Sequence, residues 1–142
     1  MKAITREWLD RAKDDLLAAS LLLAQPELTN MVAFHAQQAV EKSLKALLEE
    51  VDIAFIKTHN LARLYSLIEP HVSLSLDQDM LDRLDAVYIE SRYPGEMGLL
   101  PYGKPTQKEA KQFHDFAQHL YEQVQAGLAT DEDSDSSTPE TA

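Results

Sequence analysis

The chain has 142 residues, 44% of them hydrophobic, and 24 acidic against 13 basic residues give a net charge of −11. That length and apolar content specify one folded domain with its own core, and exclude a wholly disordered chain. A net negative body repels a nucleic-acid backbone at long range, so no role on DNA is expected and any phosphate must be met by a local basic cluster.

The opening stretch MKAITREWLDRAKDD carries charges throughout, which is not the pattern of a signal peptide. Its apolar residues Trp8, Leu9, Ala12, Leu16, Ala19 and Leu23 recur every three or four positions, so a first helix is predicted over about 5–24. The run QPE at 25–27 stops it. A second helix follows from Thr29 to Val51, with Val32, Ala36, Val40, Leu44, Leu47 and Val51 on one face. Thr58 is placed to cap a short third helix that buries Leu61, Leu64, Leu67 and Ile68 and ends before Pro70. The fourth spans about 77–92 through Met80, Leu81, Leu84, Val87 and Tyr88, and Pro94 fixes its end by excluding Tyr93 from the helical region. Thirteen residues rich in glycine and proline, 93–105, form a loop of the length usually kept for function.

The fifth helix opens on TQKE at 106–109, the spacing of a capping box, and continues through Phe113, Ala117, Leu120 and Val124. No sustained period-two alternation is read anywhere. The fold class is all-α, an up-and-down bundle of four long helices and one short one over residues 1–128. Residues 129–142 hold five acids and no base and are expected to be a disordered acidic tail.

Several chemistries fail on spacing. No Glu-x-x-His pair of a di-iron bundle occurs, and His114 and His119 are split across their helix. DQDMLD at 77–82 lacks the glycine and distal glutamate of a calcium loop and reads as a helix start. There is no phosphate loop, dinucleotide fingerprint or serine elbow. The chain has no cysteine, which removes thiolate chemistry and suits a reducing cytoplasm. No apolar run approaches a membrane span, so a soluble, cytoplasmic protein without metal or cofactor is expected.

What remains is polar. His35, Gln38, Lys42 and Lys45 form a stripe on the second helix, and Lys57, His59 and Arg63 lie within KTHNLARL. A solvated helix face is one account of them. Arg92, one turn after Tyr88 and before the break, is either a cation at a helix end or part of a site.

The segments FHAQQAVEKSLKALL, KTHNLARL and YIESRYP, in that order and at these separations, resemble the HEPN domain over about residues 5–128. The resemblance implies a helical bundle that forms two-fold dimers. Many such domains are metal-independent ribonucleases, often toxins paired with a minimal nucleotidyltransferase; others bind nucleotides. The family's ribonuclease motif is an arginine followed, after four to six residues, by a histidine. Arg92 matches the arginine, but the histidine positions hold Met97, Gly98 and Leu99, which cannot carry protons near neutral pH.

The expectation is therefore a homodimer that binds a nucleotide, or partners a nucleotidyltransferase, and lacks ribonuclease activity. Arg92, Tyr88, Lys57, His59 and Lys42 are the candidate nucleotide-binding residues. The alternatives are a ribonuclease toxin acting on single-stranded RNA through Arg92 and His59, and an adaptor dimer without a small ligand. Leu17, Leu21, Phe34, Leu48 and Phe116 lie off the main apolar stripes and are the candidate dimer contacts.

Overall fold

The computed structural model describes residues 1–54, 57–92 and 104–137, the side chains of 90–92 and 130–137 excepted. Five α-helices, and no strand among the described residues, follow in the order α1 (Ala3–Leu22), α2 (Thr29–Glu50), α3 (Leu61–Ile68), α4 (Gln78–Arg92) and α5 (Gln107–Ser137). A single 3₁₀ turn at Pro26–Leu28 joins α1 to α2, as the QPE run requires.

Helix α2 is the axis of the bundle, because each of α1, α3, α4 and α5 packs against it. Its sequence allows this: small residues Ala33, Ala36, Ala39, Ser43 and Ala46 alternate with Val40, Leu44, Leu47 and Leu48, and all are buried. Small side chains let the surrounding helices approach, and the branched ones fill the space between them. Leu9, Ala12 and Leu16 come in from α1, Leu61, Leu64 and Ile68 from α3, Leu81, Leu84 and Val87 from α4, and Phe113, Ala117, Leu120 and Val124 from α5. Leu48 is therefore core and not a dimer contact, because α2 is covered on more than one face. Phe34 and Phe116 are half-buried, while Leu17 and Leu21 stand in solvent.

Chain ends and turns are fixed by polar contacts. The predicted box at α5 is present: the Thr106 N–H donates to Glu109 Oε1 at 2.9 Å, and the Glu109 N–H to Thr106 Oγ1 at 3.0 Å. Asp77 opens α4 by accepting from the Asp79 N–H at 2.9 Å, the helix-start reading of DQDMLD. The cap of α3 is Asn60, whose side chain accepts from the Arg63 N–H at 2.7 Å; Thr58 instead accepts from the Asn60 N–H and shapes the turn before it. At the far end of α2, Glu50 accepts from the Lys2 N–H and from Thr5 Oγ1. Burial pushes the Glu50 carboxyl up, but those hydrogen bonds and the nearby amino groups hold it below its ordinary range.

Helix α5 runs through Ser137, and its last buried side chain is Leu128 among the described residues. One expectation changes. Residues 71–77, HVSLSLD, do alternate: Val72, Leu74 and Leu76 are half-buried between exposed Ser73, Ser75 and Asp77. This period-two stretch has no neighbouring strand among the described residues; it leaves the turn after α3 at Val72 and meets α5 through Ser75 and Gln123. Most of the glycine- and proline-rich loop, 93–103, falls outside the described residues, as do Met97, Gly98 and Leu99.

Candidate functional site

On α2 the predicted stripe of His35, Gln38, Lys42 and Lys45 widens into a polar arc that also takes in Gln37 and Glu41. At 100° per residue these six side chains cover close to half the helix circumference. The arc is not solvated. Gln37, Glu41 and Lys45 are buried, and two carboxylates organise it.

Glu41 serves one flank. Its side chain is 4% exposed; Oε2 lies 3.0 Å from Lys45 Nζ and Oε1 lies 2.9 Å from His59 Nδ1. Gln37 ties the same flank together, donating through Nε2 to the His59 carbonyl at 3.1 Å and to Glu41 at 3.4 Å, while accepting from Gln38 at 2.7 Å. Lys45 also sits over the Trp8 ring, 5.3 Å from its centroid. Burying a carboxylate is costly unless it is paired and hydrogen-bonded, and Glu41 has three donors.

Asp15 of α1 serves the other flank. Buried in the α1–α2 contact, it meets His35 Nδ1 at 2.9 Å and Lys42 Nζ at 2.6 Å. Lys42 is thus turned toward α1 and does not join His59, although Glu41 and Lys42 are adjacent in sequence. One step along a helix is a rotation of 100°, enough to change the neighbour met.

His59 projects from the segment before α3 and is 52% exposed at its side chain. Its ring stacks on Tyr88 of α4 with centroids 4.9 Å apart and planes at 26°. An ionised Glu41 accepts only, so it holds the proton on His59 Nδ1 and leaves Nε2 as the outward nitrogen. That nitrogen can accept a proton when the ring is neutral, or donate to an anion when it is charged.

Asp85, one turn before Tyr88, anchors the start of α3 by accepting from the Leu61 N–H at 2.7 Å and the Ala62 N–H at 3.3 Å. Burial pushes its carboxyl above the ordinary range; those two bonds oppose the rise, and the charges of Asp82 and Glu41 add to it. His59 is therefore held from both sides, by Glu41 at its ring and by Asp85 just beyond it.

Of the residues predicted from sequence, His59 and Tyr88 come together. Lys57 is exposed two positions before His59. Arg92 is the last residue of α4, one turn beyond Tyr88 on the same side of the helix, and its side chain lies outside the described residues. Sequence reasoning passed over Glu41, Gln37, Asp15 and Asp85. Glu41 had a readable signal, since Gln37, Glu41 and Lys45 are spaced i, i+4 and i+8. Asp15 and Asp85 had none, because their partners lie on other helices. Among the described residues no helix is long and apolar enough to cross a membrane.

The family model of the HEPN domain matches residues 5–127. Two solved structures are similar to the chain. TT1696 from Thermus thermophilus shares 28% identity and a TM-score of 0.71, with 86% of this chain and 96% of that one covered. ST0689, an archaeal HEPN homologue, shares 25% identity and a TM-score of 0.64, with 90% and 99% covered. No curated protein matches the chain.

Proposed function

This chain belongs to the HEPN domain family, and on that premise we propose that it is a dimeric nucleotide-binding module without ribonuclease activity. The nucleotide's phosphate would lie at the His59 and Tyr88 end of α4, met by His59 Nε2, Lys57 and Arg92. The observation that carries this reading is the buried Glu41 beneath a half-exposed His59, which holds Nδ1 inward and leaves Nε2 outward on a ring stacked against Tyr88, one helical turn before Arg92. A charged imidazole and a guanidinium fork both suit a phosphate. Lys42 is left out, since its ammonium faces Asp15. For the dimer, Leu17 and Leu21 on one stripe of α1 are 60% and 69% exposed and offer apolar contact area.

One observation favours a second reading. Carboxylate-held histidines also serve as general acids and bases, so the Glu41–His59 pair supports a ribonuclease toxin, paired with a minimal nucleotidyltransferase, in which His59 replaces the histidine missing after Arg92.

Calorimetric titration with AMP, ADP and ATP, alongside single-stranded RNA cleavage in the presence of EDTA, tests both. Binding without cleavage is expected, and Arg92→Ala should weaken it by about 1.5–3 kcal/mol, the range for hydrogen bonds to charged groups. RNA cleavage by the unmodified protein that both Arg92→Ala and His59→Ala abolish would establish the ribonuclease instead. Neither binding nor cleavage would leave an adaptor dimer, and a 16.0 kDa species by light scattering would remove the dimer itself.

A further inference from the structure

Val72 still closes the turn after α3, its N–H donating to the Ile68 carbonyl at 3.1 Å, and residues 73–76 then pass α5 with Ser75 held against it. The Ser75 N–H donates to Gln123 Oε1 at 3.0 Å, and Gln123 Nε2 donates to the Ser75 carbonyl at 2.7 Å. One side-chain amide reaches both groups of a single residue only when they point the same way, as they do in a β-conformation. Gln123 therefore stands where a neighbouring strand would be. In such a segment the residues on either side, Leu74 and Leu76, turn their N–H and C=O groups to the opposite edge. Neither residue has a hydrogen-bond partner among the described residues, and both are half-exposed, so these backbone groups are available for pairing.

We propose that this open edge is a docking site for an extended, basic peptide segment of a partner protein, added as a strand beside residues 73–76. Main-chain pairing with Leu74 and Leu76 would supply the register, as in other strand additions. A groove of about 440 Å³ beside the segment, lined by Tyr65, Glu69, Pro70, Val72 and Leu74, receives one side chain of the incoming strand. The charge of the partner follows from the surroundings. Exposed Glu69 lines that groove together with His71, exposed Asp77 follows Leu76 directly, and from Leu64 to Asp82 the chain adds Asp79 and Asp82 and no lysine or arginine. Arg83, the next cation along, reaches instead to Glu109 of α5 at 3.2 Å. An acidic partner would be repelled; a basic one is drawn in. Gln123 also explains why only one edge is available, since it blocks pairing on the α5 side.

Amide hydrogen exchange by NMR on the full chain tests the inference. In the free protein the Ser75 amide should exchange slowly relative to those of Leu74 and Leu76. A capped pentapeptide of alternating lysine and valine should slow the Leu74 and Leu76 amides by about tenfold or more, because exchange then requires opening the new pairing. Its effect should weaken with added salt. The same peptide with N-methylated backbone amides, and one with glutamate in place of lysine, should leave exchange unchanged. The proposal fails if the Leu74 and Leu76 amides are already protected in the free protein. It fails equally if the lysine peptide has no effect at millimolar concentration, or if the control peptides act as strongly.

Discussion

Glu41→Gln removes one charge from the centre of the polar arc while nearly keeping the side chain's shape. The carboxylate it replaces is 4% exposed and lies 3.0 Å from a Lys45 ammonium that is itself 9% exposed. A glutamine keeps one acceptor oxygen and gains a donor, so it cannot serve Lys45 and the His59 N–H together. The cost of breaking a buried pair by removing one partner is about 3–5 kcal/mol, most of it from the charge left behind in a poorly solvated place. His59 adds little to that figure, since its half-exposed ring regains water. At roughly 2–4 °C per kcal/mol for a chain near this size, the melting temperature should fall by roughly 6–20 °C. Scanning calorimetry with a urea midpoint as a second measure reads this directly. The double variant Glu41→Met with Lys45→Met should recover most of the loss, because removing both charges replaces the pair with apolar volume. A Glu41→Gln shift below about 1 °C would show that water reaches the pair, and the fixed outward nitrogen of His59 would lose its physical basis.

The raised Asp85 carboxyl gives a pH signature with a definite sign. Its folded form binds a proton more tightly than the unfolded chain does, so its contribution to stability falls as pH rises from the ordinary value of 3.8 through the raised one. Asp85→Asn keeps one acceptor for the Leu61 N–H, so the wild type's advantage over it should shrink across that window; melting curves from pH 3.5 to 7 in which the advantage grows would contradict the burial argument. Asn60→Ala removes the cap of α3 and should cost about 1 kcal/mol in urea titration, whereas Thr58→Ala should cost less, because Thr58 does not cap the helix. Leu48→Ala should cost about 2–5 kcal/mol, while Leu17→Ala and Leu21→Ala should be nearly neutral for the monomer's fold and should shift any dimer toward 16.0 kDa on light scattering.

The helices were written in local chemistry. Apolar spacing of three and four residues, the proline at 26, the Thr106–Glu109 box and the acids at the start of α4 each act within a turn or two of chain. Their signals survive without knowledge of the rest of the fold. The sequence also named His59 and Tyr88, although as separate residues. Only the packing of α2 among four helices decided that Leu48 is core and that Glu41, Gln37 and Lys45 are buried and not part of a solvated face. Only the placement of α1 and α4 gave Asp15 to His35 and Lys42, and Asp85 to the first amides of α3. The alternation at 72–76 is present in the sequence but was passed over as too short for a strand, and that a glutamine from α5 meets Ser75 was not legible at all. A side chain's own position along a helix is fixed by period, whereas the group it meets across an interface depends on how two elements are rotated against each other, and no local pattern encodes that angle.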